Sequence, residues 1–193
     1  LTGELFSIFV PLLLIALGTA VGSRALGGEE RTGTMGLLLA CPVSRGRVLL
    51  EKAGAMLILV ALLGVFTWAG VVLGSWLGGL GVGAAEIAAI SLLATLLGLV
   101  YGALALAIGA ATGRVRAAAY GAAGAAAVAY LANAMLPLNE SLADFARLSP
   151  FYYYLTGDPL SNGIDWSHAA VLAGLALALA GVSLVLFQRR DLR

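Results

Sequence analysis

The stretch from Ile87 to Gly113 reads IAAISLLATLLGLVYGALALAIGAATG and contains no Asp, Glu, Lys, Arg or His. A helix needs about 20 apolar residues to cross the hydrocarbon of a bilayer, and this run exceeds that. It is apolar on every side, so it leaves no face for water, as a helix covering a soluble core would. Barrel strands would alternate over segments of about ten residues, and no such alternation occurs. The stretch predicts a membrane-spanning helix, and with it an all-α, polytopic membrane protein.

The rest of the chain repeats the pattern. Of 193 residues, 61% are hydrophobic and 11% charged, against roughly a quarter charged in soluble domains. That balance excludes a water-soluble globular enzyme, a nucleic-acid binder and a disordered tail. Apolar runs place the spans at about 5–23, 48–77, 87–113, 117–136 and 168–187, with Glu51 and Lys52 one turn into the second. They form a single transmembrane domain over 1–193, with a loop at 24–47 and a further segment at 137–167. The glycines Gly78, Gly79, Gly81 and Gly83 read as the turn after the second span, and Pro137 closes the fourth. A single cysteine, Cys41, allows neither an internal disulfide nor a cysteine metal cluster.

Lys and Arg collect on the cytoplasmic side of membrane proteins. Arg24, Arg31, Arg45 and Arg47 lie between spans one and two, with Lys52 one turn into span two, Arg114 and Arg116 between three and four, and Arg189, Arg190 and Arg193 at the end. Only Arg147 falls on the other side, so the two faces carry net charges of +6 and −5. This predicts a multi-pass protein of the cell membrane with a cytoplasmic C-terminus. Five spans then put Leu1 outside, and the expectation is that a first span precedes this chain, for six in all.

No charged residue falls in the middle of a span, although proton- and ion-coupled carriers place such residues at bilayer depth. His168, the one histidine, sits beside Trp166 at the start of the last span and reads first as an interfacial anchor. No set of His, Cys and carboxylate residues has metal-ligand spacing. Work done by this protein therefore draws its energy from elsewhere. Glycines four apart recur at Gly18/Gly22, Gly70/Gly74/Gly78, Gly79/Gly83, Gly98/Gly102 and Gly109/Gly113. That spacing lets helix backbones approach closely in lipid.

The loop SRALGGEERTGTMGLLLACPVSRGRVLLEK, Ser23 to Lys52, is too patterned for a linker. Gly27 and Gly28 are expected to break the first span. Thr32 or Thr34 would cap a short helix behind Glu29 and Glu30, with Met35, Leu37, Leu38 and Leu39 on its apolar side. Pro42 would end it, and Ser44 would cap the next span. Such a helix either rests in the lipid interface or docks into a groove on a cytosolic partner.

These residues carry a resemblance. Glu29 and Glu30, the Gly33-Thr34 step, Leu37 to Leu39 and the run Pro42 to Arg45 resemble the loop of ABC-2-type permeases, the membrane subunits of ATP-binding-cassette exporters. The end of the chain, from LSPFYYYLTGDPLSNGIDW (Leu148 to Trp166) through the last span to Gln188–Leu192, is similar as well. The resemblance implies a coupling helix at about 30–41 seated in a cytosolic ATPase subunit and passing its closure to span two. Glu29, Glu30, Arg31 and Thr34 would contact that partner, Leu37 and Leu38 would be buried in it, and Pro42 would end the helix. It also implies a second permease copy and a bilayer but no nucleic acid, with ATP and Mg²⁺ bound by the partner. No GxxxxGK[ST] motif occurs in this sequence, so this chain is expected to be no enzyme itself.

The segment 137–167 has Leu138, Leu142, Phe145 and Leu148 at helical spacing, followed by Phe151, Tyr152, Tyr153 and Tyr154. It predicts short helices in the outer headgroup layer, with the aromatics as an interfacial belt or as an outer gate. The function expected is a permease subunit of an exporter. The alternative is a membrane scaffold or assembly factor that transports nothing.

Overall fold

The computed structural model describes residues 5–32, 45–79, 81–139, 141–157, 159 and 163–189. Its helices are α1 (Val10–Thr32), α2 (Arg45–Gly78), α3 (Ala84–Thr112), α4 (Val115–Met135), α5 (Pro150–Leu155) and α6 (Trp166–Arg189). A π-helical turn, Leu5–Phe9, leads into α1, and 3-10 turns at Leu136–Leu138 and Ala143–Leu148 lie between α4 and α5. Four helices, α2, α3, α4 and α6, have the length and apolar composition to cross a membrane, and α1 adds a shorter apolar stretch, Val10–Ala25.

One helix holds the others together. In α3, 72% of the most apolar window is buried, against 17% in α2, 11% in α4 and 17% in α6. The helix packs against α1, α2, α4 and α6. The core along it has two parts. Ala25, Leu49, Leu106, Ala110 and Phe187 join four helices at the end of the bundle where the arginines lie. Phe6, Val60, Leu97, Tyr101, Phe151 and Tyr154 belong to a larger cluster toward the opposite, aromatic end.

The closest packing is between α1 and α3. A Cβ built on Gly18 would overlap the carbonyl oxygen of Gly98, and one on Gly22 that of Gly102. In return, a Cβ on Gly98 would lie 2.9 Å from the Leu14 oxygen. Two glycine pairs thus interlock backbone on backbone, an arrangement closed to any side chain. On the other flank α4 buries Ala118, Ala122 and Ala126, a small-residue stripe four apart. Gly113 closes α3 in the left-handed region, φ 67°, its N–H donating to the Gly109 carbonyl. Arg114 is then the only residue before α4 begins.

The predicted break at Gly27 and Gly28 does not occur, since α1 runs through both to Thr32. Glycine costs a helix about 1 kcal/mol relative to alanine. That weakens the helix without ending it, as a left-handed cap or a proline does. Glu30 to Thr32 are therefore the last residues of α1 rather than the start of a separate helix, and Thr32 ends a helix instead of capping one. Residues 33–41, the remainder of the expected coupling helix, lie outside the described residues, as does Ser44.

Candidate functional site

The aromatic end is built from the entry to α1. Pro11 sits in that entry, where the π register would have its nitrogen donate to the carbonyl five residues back, that of Phe6. Proline carries no hydrogen there, so the helix supplies no such donor. The Tyr154 hydroxyl donates to the Phe6 carbonyl instead. Tyr154 is fully buried, and a buried carbonyl without a partner would cost about 1–3 kcal/mol. A proline near one end of the sequence is thus answered by a tyrosine near the other.

Helix α5 carries that tyrosine and is fixed on other sides too. Ser149 caps it, accepting from the Phe151 N–H at 3.2 Å, and donates to the Ala129 carbonyl of α4 at 2.9 Å. Phe151 is buried with its ring 5.4 Å from Tyr130 of α4, edge-on, and 5.9 Å from Tyr101 of α3. Tyr152 and Tyr153 are half-buried and lie against His168 of α6, Tyr153 edge-on at 5.4 Å. The four aromatics expected as a belt or gate therefore split. Phe151 and Tyr154 point into the bundle, while Tyr152 and Tyr153 line the seam with α6.

His168 shares that seam with Asp165. The Asp165 carboxylate accepts from the Ser167 N–H at 2.8 Å and the Ser167 hydroxyl at 2.6 Å, which caps α6. Those bonds, with the nearby His168, hold its carboxyl below the usual carboxylate range. The His168 Nε2 lies 3.8 Å from the other carboxylate oxygen. Among the described residues no three His, Cys, Asp or Glu side chains converge as a metal site requires.

Below α5, between α1 and α4, lies an open cleft of about 440 Å³. Ile8, Leu12 and Ile15 form one wall, Ala123, Ala127 and Tyr130 the other, and Phe151 closes its end. Thr19 is its one hydroxyl on the α1 side, buried with no hydrogen-bond partner. A pocket of this kind takes an apolar body and can orient it through few polar groups. Sequence reasoning missed Pro11, Thr19 and the partnership of Phe6 with Tyr154. Pro11 carried a readable signal, a proline inside an apolar run, whereas the other two depend on which helices meet.

The expected ATPase-contact residues fall into two groups. Glu29, Glu30 and Arg31 lie in the last turns of α1. Thr34, Leu37, Leu38 and Pro42 lie outside the described residues. Exposed Arg47 of α2 pairs with Glu51 at 3.2 Å.

Comparison with known families matches residues 3–192 to the model of the ABC-2 family transporter proteins. No curated protein matches the chain, nor does any solved structure. With a family match over nearly its whole length, the chain belongs to the ABC-2 transporter family and is a membrane component of an ATP-binding-cassette transporter.

Proposed function

We propose that this subunit is the permease of an exporter in the cell membrane, with its basic end and C-terminus in the cytoplasm, and that a second copy completes the path. A cytosolic ATPase subunit binds ATP and Mg²⁺ and docks on the loop 24–47. Glu29, Glu30, Arg31 and Thr34 contact it, Leu37 and Leu38 fill its groove, and Pro42 ends the docking segment. The cleft between α1 and α4 faces the path, and Phe151 to Tyr154 form the gate at its outer end.

What carries this reading is the cleft, an apolar groove capped by α5 in a chain of the ABC-2 family. The position of Glu29 and Glu30 adds support. Carboxylates at a helix C-terminus oppose the helix dipole, so a pair of them there is favourable when a basic partner surface meets it. Apolar walls suit a hydrophobic or amphipathic cargo.

The test is Leu37→Asp with Leu38→Asp. Burying charge in the partner's groove should weaken ATPase binding by about thirtyfold, the loss of one hot-spot contact of about 2 kcal/mol. Insertion into the membrane should not change. Pull-down of the ATPase subunit and its stimulated hydrolysis rate are the readouts, and normal values for both would remove the docking role.

A further inference from the structure

We infer that α1 is the lever of this transporter and that the Tyr154 hydroxyl is the positioning contact through which α1 sets the outer gate. The inference rests on the permease reading above and goes beyond it in naming which helix carries the motion and where it arrives.

Three observations meet on α1. Its far end, at Glu29 to Thr32, is continuous with the helix that starts at Val10. A helix of this length spans about 35 Å, more than the hydrocarbon thickness of about 30 Å. Near its middle, Gly18 and Gly22 rest directly on the backbone of Gly98 and Gly102 of the central helix. No side chain can be inserted there, so the crossing resists sliding and leaves rotation about it as the soft motion. The third is the Phe6 carbonyl, which has no helical donor because Pro11 stands where one would be, and which binds Tyr154 of α5.

A rod with a fixed crossing moves its two ends in opposite directions. Tilting imposed at Glu29 to Thr32 swings the Phe6 end, and among the described residues the polar tie between that end and α5 is the tyrosine. Helix α5 is itself anchored to α4 by Ser149 and lies against α6 through Tyr152 and Tyr153. Swinging α1 therefore pulls on α5 through this bond, against the hold of α4 and α6. The same swing widens or narrows the cleft, whose walls are α1 and α4.

The experiment uses the whole complex in lipid nanodiscs with its ATPase subunit and a Cys41→Ser background. Spin labels at Leu148→Cys and Trp166→Cys, both exposed, report the outer gate against α6, and labels at Arg24→Cys and Tyr120→Cys report the basic end. Without nucleotide the outer pair should give one narrow distance. Trapping the ATPase with ATP and vanadate should shift both pairs by about 2 Å or more, the scale of helix movements in such transitions. Tyr154→Phe removes one oxygen and keeps the ring. It should broaden the outer distance without nucleotide and abolish its nucleotide-dependent shift, while the basic-end shift and ATPase binding persist. Pro11→Ala, which gives the Phe6 carbonyl a helical donor, should do the same with Tyr154 intact.

An outer shift that survives in Tyr154→Phe overturns the latch. A wild-type complex whose basic end moves while its outer end stays still overturns the lever and leaves the permease reading standing. A wild-type chain that binds no ATPase overturns both.

Discussion

Two rows of glycines with the same spacing behave in opposite ways. Gly18 and Gly22 of α1 lie against Gly98 and Gly102 so closely that a methyl group at either position would collide with a backbone carbonyl. Gly70 and Gly74 of α2 have nothing within 4 Å of where a Cβ would stand, and Phe66, Leu73, Trp76 and Leu77 are exposed around them. Four-residue spacing therefore states what a helix surface permits. Whether it is used depends on a second helix with a matching row, and among these segments α3 has one. The inner face of α2 is intermediate, since Gly64 packs on Thr95 of α3.

Breaking this contrast should give a graded series. Gly22→Leu forces α1 off α3 and should cost about 3 kcal/mol or more, the upper range for overpacking. Gly64→Ala meets the Thr95 hydroxyl, which is bonded to the Ser91 carbonyl at 2.7 Å, and should cost about 1–2 kcal/mol. Gly74→Leu should stay within about 0.5 kcal/mol, as for an unconstrained surface site. Unfolding in mixed micelles measures all three, and a Gly74→Leu loss as large as that of Gly22→Leu would erase the distinction.

The smallest effect concerns α6. Asp165 ionises below its usual range because of Ser167, so its contribution is present above the unfolded carboxylate value of about 3.9 and is lost as pH falls through the lower folded value. The melting temperature of Asp165→Ala should be slightly below that of the parent at neutral pH and should merge with it at acid pH. A gap that widens on acidification would refute the cap.

The spans were legible because exclusion of charge from hydrocarbon acts on each segment separately. Ile87 to Gly113 needs no knowledge of its neighbours to be read as a crossing, and α3 covers all but its final Gly113. Pairings were not legible, since they depend on contacts between distant residues. Nothing local distinguishes Gly22 from Gly74, or ties Tyr154 to Phe6 across the length of the chain. Gly27 and Gly28 mislead for a related reason, because a weak local preference against helix gives way where the helix continues through them to Thr32. The split within Phe151 to Tyr154 depends likewise on a face chosen by α1, α3 and α4.

The short joint between α3 and α4 bears on how the protein is made. With only Gly113 and Arg114 between them, the two helices emerge in close succession during synthesis, after α1 and α2. The most enclosed helix thus emerges after α1 and α2, with Ser91 and Thr95 to be covered soon after. Among the described helices, α1 offers that cover through the glycine crossing. A defect there would first appear in biogenesis, as a chain held by quality control before it ever met nucleotide.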